Sequence, residues 1–165
     1  MKNEIIFRNY IGQDKEQLLD LAKEFSNFYV PINPWSKNPI DPSTPAYFLD
    51  KLLKNVKEKN GQIIVAENSD LLVGFIGAYL TDQSLEEKLE FIPMKLGYIS
   101  ELFVLEEYRS QGIGDMLLTK AHEYLKEKGC TYVELEVFAP NTRAHEFYLK
   151  HKYIDKNISM IKSLS

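Results

Sequence analysis

Residues 108–114 read Tyr-Arg-Ser-Gln-Gly-Ile-Gly (YRSQGIG), between a strand-like segment and a strongly amphipathic helical one. Glycines at this junction leave backbone amides bare at a helix N-terminus. Free N–H groups there, aided by the helix dipole, make a site for phosphate groups. The candidate donors are the amides of Gln111, Gly112, Ile113, Gly114 and Asp115, with Ser110 leading into them. Arg109 offers charge-assisted hydrogen bonds to the same phosphates. The plainer reading keeps Gly112 and Gly114 as structural residues of a tight turn and Arg109 as a solvated side chain. A dinucleotide fingerprint is excluded, because Asp115, Met116 and Leu117 follow where its third glycine belongs. No Gly-Lys-Ser/Thr is present for a P-loop.

Outward from this turn, residues 96–104 read as the strand before it. Ile113, Met116, Leu117, Ala121, Tyr124 and Leu125 form one apolar helix face after it, closed by Gly129 at C′. Residues 131–138 (TYVELEVF) alternate as a further strand, Asn141 caps a short helix running through His151, and residues 153–161 read as a last strand. Upstream, residues 4–9 read as a strand. Asp14 with Gln17 starts a helix carrying Leu18, Leu21, Ala22, Phe25 and Phe28. Five of the seven prolines fall in residues 31–45, which must therefore be an extended loop. Thr44 and Pro45 suit the N-cap and N1 of a second helix. Residues 62–66 and 71–80 read as strands joined by a hairpin at Asn68-Ser69-Asp70, and residues 86–90 as a polar connection.

The 165 residues suit a single domain over 1–165, with 44% hydrophobic and 27% charged residues and a formal charge of −4. That balance carries no electrostatic footprint for nucleic acid and is compatible with amine-bearing substrates. The single cysteine, Cys130, leaves no internal disulfide and fits a reducing compartment. Neither a signal-peptide core nor an apolar run of about 18 residues occurs, so a cytoplasmic protein without a membrane partner is expected. His122, His145 and His151 lack ligand spacing, and no metal is expected.

Taken together, the stretch ISELFVLEEY with RSQGIG and the later VFAPNTRAHEFYLKHKY resemble two motifs of the GNAT superfamily of acyl-CoA-dependent N-acetyltransferases. The first is similar to its pyrophosphate motif, Arg/Gln-x-x-Gly-x-Gly/Ala. The second is similar to Asn-x-x-Ala-x-x-Phe-Tyr. Their order and strand–helix setting make the pair specific over about residues 96–153. The resemblance implies an α/β fold, with a central, mostly antiparallel sheet of about six or seven strands and helices on both faces. It implies acetyl-CoA as cosubstrate and transfer of the acetyl group to a primary amine by direct attack in a ternary complex. A small-molecule acceptor is the leading reading. A protein or peptide acceptor and a non-catalytic acyl-CoA-binding regulatory module are the alternatives. A homodimer through C-terminal edge strands is a common family arrangement.

The resemblance also distributes roles. Backbone groups at Phe103 and Val104 would pair with the pantetheine arm, and Asn141 would contact the cofactor besides capping its helix. Tyr148 falls where the family commonly protonates the departing thiolate; its other reading is packing beside Phe147 and Ala144. Glu101 falls where many members carry a general base; its other reading is a carboxylate that shapes the pocket, and Glu134 and Glu136 stand in reserve. A base is needed because a lysine-like amine has a pKa of about 10.4, so its neutral form costs roughly 4–5 kcal/mol near neutrality, whereas a thiol at about 8.5 leaves easily. The acceptor site is expected in the N-terminal half, with Tyr29 and Trp35 in or beside the proline-rich loop as a lid or wall, or as mere structure. One departure stands out: the family's Gly-Phe after the Phe-Tyr helix is Lys152-Tyr153 here.

Overall fold

The central strands arise from two uninterrupted apolar runs, IIVA within β2 (Gln62–Asn68) and LVGFIGAYL within β3 (Leu71–Thr81). Both are buried on both sides, so they read as continuous rather than alternating hydrophobic stretches. The computed structural model describes residues 4–164. Its other elements are β1 (Ile6–Asn9), α1 (Lys15–Tyr29), α2 (Thr44–Glu58), α3 (Leu85–Glu90), β4 (Leu96–Val104), α4 (Ile113–Glu127), β5 (Tyr132–Glu134) and α5 (Thr142–Lys150).

The strands form one five-stranded sheet in sequence order, antiparallel from β1 to β4, with β5 parallel to β4. The expected hairpin closes through Ser69 and Asp70, both in left-handed backbone (φ 50° and 67°), as a two-residue turn requires. One face carries α1 and α2, through Leu18, Leu21, Leu49 and Leu52 packed on Ile63, Val65, Leu72 and Phe75. The other carries α4, whose Leu117, Leu118, Ala121 and Leu125 are wholly buried on Ile64, Ile76, Ala78 and Ile99. Each such leucine contributes about 1.5–3 kcal/mol by leaving water. A Schellman closure ends α4: the amides of Gly129 and Cys130 donate to the carbonyls of Lys126 (2.8 Å) and Leu125 (3.0 Å), with Gly129 at φ 80°.

Several sequence expectations are corrected. The sheet has five strands rather than six or seven. Residues 153–161 form no strand: Asp155, Lys156 and Asn157 interrupt the apolar pattern. Asp155 instead bonds His145 (2.7 Å), while Lys156 holds Glu87 and Glu134 (2.6 and 2.5 Å). Of residues 131–138 only three pair with β4. The polar connection is the helix α3, opened by a Ser84–Glu87 capping box. Asp14 precedes α1 but does not cap it with its side chain; the carboxylate binds Arg8 and the Ile11 amide. Gln17 likewise leaves its helix: its side chain accepts from the Leu72 amide (2.8 Å) and donates to the Asp70 carbonyl (3.1 Å), fastening α1 to the hairpin. Ser43 takes the N-cap position of α2, and Thr44 and Pro45 open the helix.

Candidate active site

In an unbroken strand, Ser100 and Glu101 would point to opposite faces of the sheet. The register of β4 against β3 prevents this. Ile76 pairs with Leu102 and Ala78 with Ile99, so Gly77 alone opposes both Ser100 and Glu101. This bulge turns both side chains toward α2, onto the side already holding Tyr79 and Tyr98. Gly77 makes room for it: a Cβ there would lie 2.5 Å from Ser100 Oγ and 2.6 Å from Leu52 Cδ1.

The result is a cavity of about 120 Å³ between β3, β4 and α2. Its floor is Ser100 and Glu101, one wall is the cross-strand pair Tyr79 and Tyr98 (ring centroids 5.3 Å apart), and Lys51 and Asn55 face them from α2. Glu101 Oε2 is buried and lacks a hydrogen-bond partner among the described residues. Burial pushes the carboxyl above its usual range, against the smaller opposing pulls of the Ser100 hydroxyl and the Lys51 charge. Tyr98 is pushed up to about 12 by burial first, then by Glu136 and its other neighbours. Tyr79 rises by burial, then by Glu101 and Glu136. Of the two reserve carboxylates, Glu134 is engaged by Lys156, while Glu136 is exposed.

Beside this cavity the sheet opens. β5 pairs with β4 only at Leu96–Tyr132, Gly97–Val133 and Tyr98–Glu134, whereas β4 runs on to Val104. Beyond Tyr98, no strand among the described residues covers that edge. The chain after Glu134 diverges until Phe138 packs on Tyr29 and Trp35, at centroid distances of 5.5 and 6.0 Å. Tyr29 and Trp35 therefore meet at Phe138 and not on the Glu101 cavity. Phe103 is buried among Phe25 and Phe28, with its backbone on the open strand.

At the end of β4 the phosphate-type turn has the expected form. Ser110 and Gly112 are both left-handed (φ 61° and 80°), and α4 begins at Ile113 with no side chain capping it. A Cβ on Gly112 would meet nothing within 4 Å, so the space above the turn is open. Arg109 serves the junction: its Nε donates to the Val104 carbonyl (2.9 Å), and its guanidinium lies over Phe28 at 4.5 Å. Burial, then the nearby Arg143 charge, lower its pKa. Arg143, which no spacing in the sequence singled out, thus stands near the turn too.

The second motif docks on the first. Asn141 Oδ1 accepts from the Ala144 amide (3.3 Å), as an N-cap should. Phe147 comes within 3.7 Å of a Cβ built on Gly114, and His151 Nε2 lies 3.0 Å from Asp115 Oδ1. These contacts hold α5 against the start of α4. Tyr148 packs edge-on against Phe147 and Tyr153, at 5.3 and 5.5 Å. Burial pushes its phenol up to about 12. The Tyr153 hydroxyl is bonded to His122 (2.7 Å), whereas that of Tyr148 has no hydrogen-bond partner among the described residues. Among the described residues no cluster of three or more potential ligands could hold a metal ion, and no helix is long and apolar enough to cross a membrane.

Comparison with known proteins agrees with this fold. Residues 18–153 match the model of the acetyltransferase (GNAT) family, and the chain belongs to that family. A relative from Archaeoglobus fulgidus, described as an uncharacterised N-acetyltransferase, is 40% identical over 92 residues, which cover 56% of this chain and 58% of the relative. The chain spans 58% and 61% of the lengths of the first two curated relatives it matches. Among solved structures, a tetramutant of the BH1408 protein from Bacillus halodurans superposes with a TM-score of 0.80 at 22% identity, over 96% of this chain and 99% of that one. The aminoglycoside enzyme AAC(6')-Iy, solved with a CoA-linked bisubstrate analogue, gives 0.70 at 13% identity, over 98% and 99%. These structural likenesses establish the shared fold.

Proposed function

We propose that the chain transfers an acetyl group from acetyl-CoA to the primary amine of a small molecule, by direct attack within a ternary complex. The observation that carries this reading is Glu101: a buried carboxyl with one unpartnered oxygen, set by a strand bulge on the floor of a cavity beside an open sheet edge. Family membership supports the transferase class, and the CoA-linked ligand of AAC(6')-Iy supports the donor.

The residues present fit an acyl-CoA donor. The amides of Gln111, Gly112, Ile113, Gly114 and Asp115, with the α4 dipole behind them, suit a pyrophosphate in the open space over Gly112. Ser110 shapes the turn, Arg109 and Arg143 add positive charge, and Asn141 holds α5 beside it. The edge of β4 through Phe103 and Val104 offers main-chain pairing to an extended arm, as an added strand would. When bound, the donor supplies an activated thioester.

Glu101 takes a proton from the incoming ammonium, and its raised pKa makes it a stronger base than an ordinary carboxylate. The neutral nitrogen forms its bond to the acyl carbon as the carbon–sulfur bond breaks, and its second surplus proton passes to solvent, which also restores the Tyr148 phenol after it has protonated the thiolate. Tyr148, protonated at neutral pH, gives its proton to the thiolate. Tyr29 and Trp35 line the outer approach near Phe138.

The test is thiol release from acetyl-CoA across a panel of small amines and peptides. Turnover of small amines is the expected result. Preference for peptide amines moves the acceptor class to proteins. Tight donor binding with no turnover across the panel replaces the enzyme with a binding module.

A further inference from the structure

The cavity over Glu101 is lined by a mostly buried carboxyl at its floor and, at its solvent-exposed rim, by the Lys51 ammonium. Glu101 leaves Oε2 unpartnered at the floor. Lys51, on the facing side of α2, lines the same cavity, yet no ion pair or hydrogen bond joins its ammonium to any described residue. Its charge is felt at Glu101, so the two share one field without contact.

Local sequence explains the placement. Phe48, Lys51, Leu52 and Asn55 stand at i, i+3, i+4 and i+7 on α2, one stripe turned to the sheet. Leu52 is buried under that stripe, and Lys51 and Asn55 bring polar groups onto its edge. Asn55 stands close enough to the Tyr79 hydroxyl to oppose part of the rise in its pKa.

From this arrangement we infer that the acceptor is a small zwitterion, a primary amine carrying an anionic group such as a carboxylate or phosphonate. Its ammonium sits at Glu101 and its anion at Lys51. The inference rests on the acetyltransferase reading of the site and names its substrate class. A simple alkylamine would make no use of the Lys51 charge at the rim. A diamine would place its second cation beside Lys51, where like charges repel. Glu101 and Lys51 line the same cavity of about 120 Å³, which favours a short spacer between the charges.

Binding and turnover are measured separately, so that each idea fails on its own. The CoA-saturated protein is titrated calorimetrically with β-alanine, γ-aminobutyrate and aminoethylphosphonate, and with β-alaninamide and ethylenediamine as neutral and cationic counterparts. At least one anionic member should bind about tenfold more tightly than both counterparts, as a charge-assisted contact warrants. Lys51→Met should collapse that ratio toward one, and Lys51→Glu should invert it in favour of the diamine. Lys54→Met, on the same helix but off the cavity, controls for net charge and should keep the ratio. Equal binding of all classes overturns the zwitterion inference, as does a preference that survives Lys51→Met. Thiol release on the same ligands judges the transferase reading: a charge preference without turnover supports the inference and sinks that reading, and turnover without preference does the reverse.

Discussion

Glu101 and Tyr148 are both partly buried ionisable groups, and burial favours the neutral form of each, with opposite consequences for chemistry. For Glu101 the neutral form is the inactive one. Its folded pKa lies above the ordinary value of 4.5, so its contribution to stability is complete below that value and is lost as pH rises through the folded pKa. Activity needs the ionised form and should rise over that same window, with an acid limb above the usual carboxylate range. Glu101→Gln should therefore lose about 100- to 10,000-fold in kcat/KM. It should also gain about 0.5–2 kcal/mol in denaturant unfolding at neutral pH, because an unpaired buried charge is gone. An active Glu101→Gln variant with an unchanged acid limb would remove Glu101 from the base role. For Tyr148 the neutral form is the useful acid. Tyr148→Phe keeps the ring contacts with Phe147 and Tyr153. Tm should stay within a degree or two while kcat drops by about 100-fold; equal turnover would return Tyr148 to packing alone.

Two short devices at the element scale position the chemistry, a bulge inside β4 and a left-handed turn at its end. The bulge depends on Gly77, and Gly77→Ala drives a methyl into Ser100 Oγ and Leu52 Cδ1. Such overpacking costs about 1–3 kcal/mol. The accompanying shift of Glu101 should cost more in kcat than in stability, which parallel thermal melts and steady-state kinetics can separate. The turn depends on Gly112, whose added side chain would project into the open space where phosphates are proposed to lie. Gly112→Asp brings a negative charge there and should abolish donor binding by calorimetry while circular dichroism stays native. These devices differ in legibility. The turn is visible as Gly-x-Gly between strand and helix patterns. The bulge has no local signature, because it is a mismatch between two strands, and it alone decides which face Glu101 addresses.

At the scale of the molecule, one polar cluster ties the first strand to the rest. Arg8 on β1 donates to both Asp14 oxygens (2.7 and 2.9 Å) and to Glu67 of β2 (2.7 Å). The Arg8 bond holds the Asp14 carboxyl below its ordinary value. A depressed carboxylate contributes stability above its unfolded pKa of about 3.8, and loses it as pH falls through the lower folded value. Arg8→Met leaves the buried Asp14 and the mostly buried Glu67 carboxylates without their cation and should cost about 1–3 kcal/mol at neutral pH. The variant's loss relative to the parent should shrink as acid protonates Asp14, which urea midpoints across pH can follow. Asp14 looked like a simple helix cap in the sequence; the partner that claims it lies on another element.

The class of fold, both motifs, the turn and the helix faces are legible in the chain, because each is written in a run of neighbouring residues whose period or glycine spacing acts locally. The same patterns place Glu101 on the right strand and Asn141 at a helix start. What Glu101 faces is set in the folded chain, since this depends on the register of β4 against β3. Folding alone brought Lys51, Asn55, Tyr79 and Tyr98 to that carboxyl from elements far apart in the chain. It alone ended the sheet at five strands, where residues 135–138 leave β4 for Tyr29 and Trp35 and the C-terminal residues answer ion pairs instead of a ladder. Local patterns specify elements; the competition among partners that meet only in the folded chain specifies the site.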